Sequence, residues 1–131
     1  MKLLLDTHIW LWALLSPERL SQQVKRELQR GGNELYLSPV SIWEAKCLER
    51  RKRIKLKQDF SKWLGNAFKN APMKEAAFNF AIATAASHIE LPQSDPGDIF
   101  LAATAVTLDL TLITSDRQLL ACSWLKTISN D

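Results

Sequence analysis

Short apolar runs that stop abruptly at a polar residue constrain this chain most: Leu3-Leu4-Leu5 before Asp6, Leu35-Tyr36-Leu37 before Ser38, and Thr111-Leu112-Ile113-Thr114 before Ser115-Asp116. Runs this brief suit buried strands better than helices. The segments between them carry helical signals. Ile9 to Leu15 reads as a short helix stopped at Ser16-Pro17. Ser21 to Arg30 reads as an amphipathic helix with Ser21 as N-cap and Gly31-Gly32 as stop. Ser38-Pro39 opens a helix from about Val40 to Arg51, since proline is tolerated in a first turn. Asp59 caps another, with Phe60, Trp63, Leu64 and Phe68 at helical spacing, and Lys74 to Ser87 is expected to form an alanine-rich helix. The turn Asp95-Pro96-Gly97-Asp98 leads into a helix beginning at about Asp98. A short helix from Arg117 to Ala121 and a last strand from Trp124 to Ile128 close the chain. Strands alternating with helices imply an α/β fold with a parallel sheet covered on both faces.

With 131 residues, nearly half of them hydrophobic, and only four glycines, the chain is the right size for one compact domain spanning 1–131. No apolar run is long enough to cross a bilayer and no signal-peptide pattern opens the sequence, so a soluble, cytoplasmic protein without a membrane partner is expected. Cys47 and Cys122 stand far apart without a Cys/His cluster, which supports neither a zinc site nor a disulfide framework; both read as core thiols. The net charge of +3 is modest but unevenly spread: six of the eight residues from Arg50 to Lys57 are basic.

In an open parallel sheet, ligands bind outside the carboxyl ends of the strands. Asp6 and Asp116 each follow a predicted strand, Asp98 starts a helix, and Glu44 lies one turn inside the helix after the second strand, leaning toward its N-terminus. All four can converge on one edge. Gathered carboxylates repel and raise one another's pKa unless a cation neutralises them. A hard divalent ion such as Mg²⁺ or Mn²⁺ takes oxygen ligands and bridges to phosphate, which suggests phosphodiester hydrolysis by a metal-activated water. Taken singly, Asp6 reads as a polar strand end, Asp98 and Asp116 as N-caps, and Glu44 as a solvated helix residue. The set points further than its members.

Four motifs in order, Leu5-Asp6-Thr7-His8, Ser41-Ile42-Trp43-Glu44, Asp95-Pro96-Gly97-Asp98 before Leu101-Ala102-Ala103-Thr104-Ala105, and Leu112-Ile113-Thr114-Ser115-Asp116, resemble those of PIN-domain proteins, above all the VapC toxins of bacterial toxin–antitoxin pairs. The resemblance covers essentially the whole chain. It implies a Rossmann-like α/β/α sandwich with a central parallel sheet and a Mg²⁺- or Mn²⁺-dependent endoribonuclease. Asp6, Glu44, Asp98 and Asp116 take the places of the family's acidic quartet, with Asp6 and Asp98 as its usual metal ligands. It also implies a homodimer and a small antitoxin partner that inserts into the active-site groove. Two positions depart from the pattern. Ile99 follows Asp98 where the family often has arginine, which puts a phosphate or partner contact there in question. Lys52 replaces a frequent glycine, which lets the helix carrying Glu44 extend further.

Thr7 and Thr114 offer hydroxyls at the site edge that either support the acids or satisfy strand-end amides. Asp95 reads first as an Asx turn before Pro96, and second as a water-mediated aid to the metal. His8 opens a helix and needs no catalytic role. Ser41 and Ser115 lack a base partner, since His88 lies at a helix–loop junction, so a Ser-His-Asp hydrolase is not expected. Arg50, Arg51, Lys52 and Arg53 are candidate RNA-phosphate contacts, weighed equally against a solvated helix end. Trp10, Trp12, Trp43 and Trp63 sit at apolar helix positions and read as core or dimer contacts; base stacking would require exposed rings beside the basic groove. Two other functions compete with the nuclease. One is a non-catalytic RNA-binding or regulatory PIN domain, motivated by Ile99 and the basic run. The other is a phosphoryl-transfer enzyme using an aspartyl phosphate on Asp6, against which His8 stands where a second aspartate is wanted.

Overall fold

A computed structural model describes residues 1–92 and 95–131. Five parallel strands form one sheet in the order β3-β2-β1-β4-β5: β1 (Lys2–Leu5), β2 (Glu34–Leu37), β3 (Lys74–Glu75), β4 (Thr111–Thr114) and β5 (Thr127–Ser129). The helices are α1 (Thr7–Leu15), α2 (Gln22–Gln29), α3 (Pro39–Arg50), α4 (Phe60–Asn70), α5 (Phe80–Ala86), α6 (Pro96–Leu108) and α7 (Arg117–Leu120), with a 3₁₀ turn at Pro17–Arg19. Side chains on a strand point alternately to opposite faces, and β1 uses both. Leu3 and Leu5, with Ile113 of β4 and Leu37 of β2, pack against residues of α1 to α4. Leu4 and Leu112 pack on the other side against Leu101, Ala102 and Ala105 of α6 and Leu119 of α7. This is the expected α/β/α sandwich, and it explains why the strands read as unbroken apolar runs. Among the described residues, no helix is long and apolar enough to cross a membrane.

Four local expectations are corrected. Lys74 to Ser87 does not form one helix. Tyr36 and Leu37 at the sheet edge pair with Lys74 and Glu75, and the Ala76 amide donates to the Leu37 carbonyl at 2.9 Å, so open sheet-edge groups override the local helix propensity. Asn79 then restarts the chain as α5 by accepting the Ile82 amide. Helix α6 begins at Pro96, because Asp95 is its N-cap and accepts the Asp98 amide at 3.0 Å. Asp98 thereby lies inside the first turn rather than capping it. The last strand is Thr127–Ser129, later than Trp124–Ile128, and leaves Trp124 about half exposed.

The fourth correction concerns Lys52. It does not prolong α3 but ends it in the left-handed conformation (φ 59°), with the Arg53 amide donating to Leu48 and the Lys52 amide to Glu49. Those two bonds make a Schellman cap, where glycine is the unstrained residue. Lys52→Gly is therefore expected to stabilise the protein by about 1 kcal/mol, read as a higher urea midpoint at unchanged slope. A lower midpoint would contradict the strain.

Candidate active site

The chain leaves β1 toward β2 through α1 and α2 on one face of the sheet, and reaches β4 through α6 on the other, with α5 packed against α6. The strand order therefore reverses at β1, and a crevice opens where its carboxyl end lies between those of β2 and β4. The register sets the edge: Leu5 pairs with Ile113, and the Asp6 amide donates to the Ile113 carbonyl at 3.0 Å. Asp6 follows β1 directly, Asp116 lies two residues beyond β4, and Ser38 closes β2 as the N-cap of α3.

Supporting hydroxyls fix two of the acids. Thr114, fully buried, donates to Asp6 Oδ2 at 2.6 Å and also accepts the Asp116 amide at 3.0 Å, so one side chain links two of the four carboxylate-bearing residues. Thr7, at the start of α1, lies 2.5 Å from Glu44 Oε1 and 2.8 Å from the buried Ser41 hydroxyl. A threonine has one proton to give, and the carboxylate is the stronger acceptor, so the Ser41 hydroxyl fits as donor to Thr7. Sequence reasoning found no use for Ser41; its spacing of three from Glu44 on one helix face is the signal that could have placed it. Asp116 caps α7 by accepting the Leu119 amide at 3.0 Å through Oδ1.

Gly97 was also missed. A Cβ built there would fall well inside van der Waals contact with the Glu44 carboxylate and 3.2 Å from Asp95 Oδ1. The absent side chain is what lets α3 and α6 bring their acids together.

The gathering of these groups sets their electrostatics. Burial, followed by the charges of Asp95, Asp6, Asp116 and Glu44, pushes Asp98 up to about 7. Burial also raises Asp6, against the Thr114 hydrogen bond that lowers it, and Asp116 adds to the rise. Glu44 is raised by burial, opposed by Thr7, with Asp95 and Asp6 adding to the rise. The other three predicted acids, together with Asp95, thus sit close enough to act on Asp98. A cavity of about 420 Å³ is lined by Asp6, Glu44, Asp95 and Asp98 together with Thr7, His8, Trp43, Cys47, Arg51 and Phe100; Asp116 stands beside it rather than in its lining.

The residues fit a hard divalent cation by donor chemistry. Oxygen donors are concentrated around Asp98, where the charges of Asp95, Asp6, Asp116 and Glu44 all disfavour its ionised form, and two of the acids are held by hydroxyls that leave further carboxylate oxygen available. Among the described residues, no three His, Cys, Asp or Glu side chains close around a single ion position as they stand.

His8 is exposed, and the Ser41 hydroxyl is engaged by Thr7. Arg50 to Arg53 are all exposed; Arg51 lines the acidic cavity and Arg53 a neighbouring groove. This groove of about 790 Å³ shares His8 and Leu48 with the cavity and is lined by Arg19, Arg53, Lys55 and Lys57 around Trp12 and Trp63. Cys47 and Cys122 are free and only partly buried. Of the tryptophans, Trp10 is core, and Trp12 and Trp63 pack against it, but Trp43 is 59% exposed.

Comparison with known proteins agrees with this layout. Ribonuclease VapC22 of Mycobacterium tuberculosis is 29% identical over 119 residues, 88% of each chain. A chain in the crystal structure of VapBC2 from Rickettsia felis bound to a DNA fragment from their promoter superposes with a TM-score of 0.73 at 20% identity, each chain fully covered. VapBC-5 from Mycobacterium tuberculosis, a member of the VapBC family of toxin-antitoxin systems, gives 0.62 at 15% identity with 98% of each chain covered. Residues 3–124 match the PIN domain, and the chain belongs to that family.

Proposed function

We propose that this PIN-domain protein is a divalent-metal-dependent endoribonuclease, the toxin of a VapC-type toxin–antitoxin pair, with Mg²⁺ or Mn²⁺ as its ion. The observation that carries the reading is the convergence of Asp6, Glu44, Asp98 and Asp116 at the sheet's switch point, where burial first and the charges of Asp95, Asp6, Asp116 and Glu44 after it lift Asp98 to about 7. The relative named a ribonuclease and the toxin–antitoxin neighbours support it. Asp6 and Asp98 are the principal ligands in this reading, with Glu44 and Asp116 completing the set. The bound ion supplies positive charge to the phosphate and lowers the pKa of a water.

The chain's own residues do the rest. Thr114 and Thr7 fix the rotation of the Asp6 and Glu44 carboxylates, so little reorganisation is needed when substrate arrives. Arg51, with Arg53, Lys55, Lys57 and Arg19 along the adjoining groove, offsets the repulsion between RNA phosphates and the acids. A small antitoxin and a second copy of the chain are the protein partners this reading adds.

The test is incubation of purified protein with total RNA in Mg²⁺, in Mn²⁺ and in EDTA. Fragmentation only with metal is the expected result. Cleavage that persists in EDTA would sink the metal mechanism, and a folded, inhibitor-free protein that cuts nothing would leave an RNA-binding module.

A further inference from the structure

Trp43 is an exposed ring beside two residues of the basic run, Arg50 and Arg51. Its ring is exposed although it sits immediately before Glu44, and it lines the same cavity as Asp6, Glu44 and Asp98. An exposed apolar patch rimmed by polar groups marks a contact site. Here the surrounding groups are of two kinds. The Arg50 guanidinium lies over one face of the ring, 5.5 Å from its centroid, which leaves the opposite face for a base, and Arg51 shares the cavity wall. Phe100 adds apolar surface to that same wall. An aromatic face flanked by arginines at the mouth of a phosphodiester site offers what an unpaired nucleotide presents: a flat base to stack and a phosphate to neutralise.

We infer that Trp43 is the stacking platform for one unpaired base next to the scissile phosphate, with Arg50 and Arg51 taking that nucleotide's phosphate. The inference rests on the nuclease reading and names the residue that seats an unpaired base at the cut. A duplex cannot supply the base, because its faces are already stacked. The cavity volume of about 420 Å³ is of the size that encloses a small ligand rather than a helix. The position of the ring, adjacent in sequence to Glu44, makes the stacked base a register mark for the bond to be cut.

The experiment measures binding of a fluorescein-labelled oligoadenylate, single-stranded and annealed to oligouridylate, in EDTA so that no turnover occurs. It compares wild type, Trp43→Ala and Trp43→Phe, with gel-filtration position and melting temperature recorded for each. Wild type is expected to prefer the single strand. Trp43→Ala should weaken that binding about tenfold, and Trp43→Phe should keep most of it. Binding to the duplex should be the same for all three, and the elution position unchanged. Equal single-strand binding by Trp43→Ala overturns the inference. So does a loss of binding that accompanies a change in elution position, which would make the ring a contact between copies of the chain. If wild type binds as expected yet cleaves nothing in Mg²⁺ or Mn²⁺, the nuclease reading fails by itself, and Trp43 is left as an RNA contact without a register role.

Discussion

Asp6→Asn is expected to reduce metal-dependent RNA cleavage by on the order of a thousandfold or more while leaving the protein folded. Asp6 is the acid closest to the sheet, only 8% exposed, and Thr114 fixes its Oδ2. Asparagine has the same shape, and its carbonyl oxygen still accepts the Thr114 proton, so packing at the carboxyl end of β1 is preserved. What it lacks is the charge that competes for a hard cation. Its stability effect should have the opposite sign to its effect on activity. Burial already holds the Asp6 carboxyl above its ordinary range, so an uncharged amide removes a penalty from the ion-free protein. The expected pattern is a melting temperature in EDTA at or above that of wild type, with RNA fragments absent from the gel. A variant that still cleaves at a tenth of the wild-type rate or faster would show that Asp6 is not a principal ligand.

Much of this arrangement was legible in the chain because it depends on strand ends. Leu3 to Leu5 and Leu112 to Ile113 are apolar on consecutive residues, which only a strand buried on both faces requires, and the polar residue that follows must then lie at the sheet's edge. Asp6 and Asp116 follow from that directly. Glu44 followed from the Ser38-Pro39 start and the helical rise. The parts that were not legible depend on contacts between distant segments. Nothing local says that Lys74 and Glu75 pair with β2, because the hydrogen-bonding groups that recruit them belong to Tyr36 and Leu37. Nor does local sequence say that Lys52 accepts a left-handed conformation, since the Glu49 and Leu48 carbonyls that the Lys52 and Arg53 amides satisfy are set by where α3 must stop. Gly97 matters only because Glu44 approaches it from another helix. Trp43 misled for a related reason: helical periodicity placed it with apolar neighbours, whereas its exposure depends on what fails to cover it.

The ion-free protein should also lose stability as pH rises, contrary to the usual behaviour of a structure held by paired carboxylates. Asp98 ionises near 3.8 in its ordinary state and at about 7 in the fold, with burial as the first cause and its acidic neighbours after it. The folded state therefore keeps a proton that the unfolded chain has released. The contribution is fully present below about pH 4, is lost as pH climbs through about 7, and is absent above it. Asp6 and Glu44, raised in the same direction, extend the effect. Because Asp98 is only half-buried, solvent screening reduces the effect well below what the full shift would give, to about 1–2 kcal/mol, or roughly 5 °C in melting temperature for a chain this size. A divalent ion binds the ionised carboxylates and removes the repulsion, so Mg²⁺ or Mn²⁺ should raise the melting temperature more at about pH 8 than at about pH 5, where protons compete for the same oxygens. Thermal unfolding in EDTA across this range, with Asp98→Asn as the comparison, isolates the group. Asp98→Asn should flatten the pH slope and shrink the increment from metal together, since both come from one carboxylate. A wild-type melting temperature that stays level or rises from about pH 5 to about pH 8 in EDTA would mean that the acids are neutralised by the protein itself, and the case for a metal drawn in by their mutual repulsion would fall.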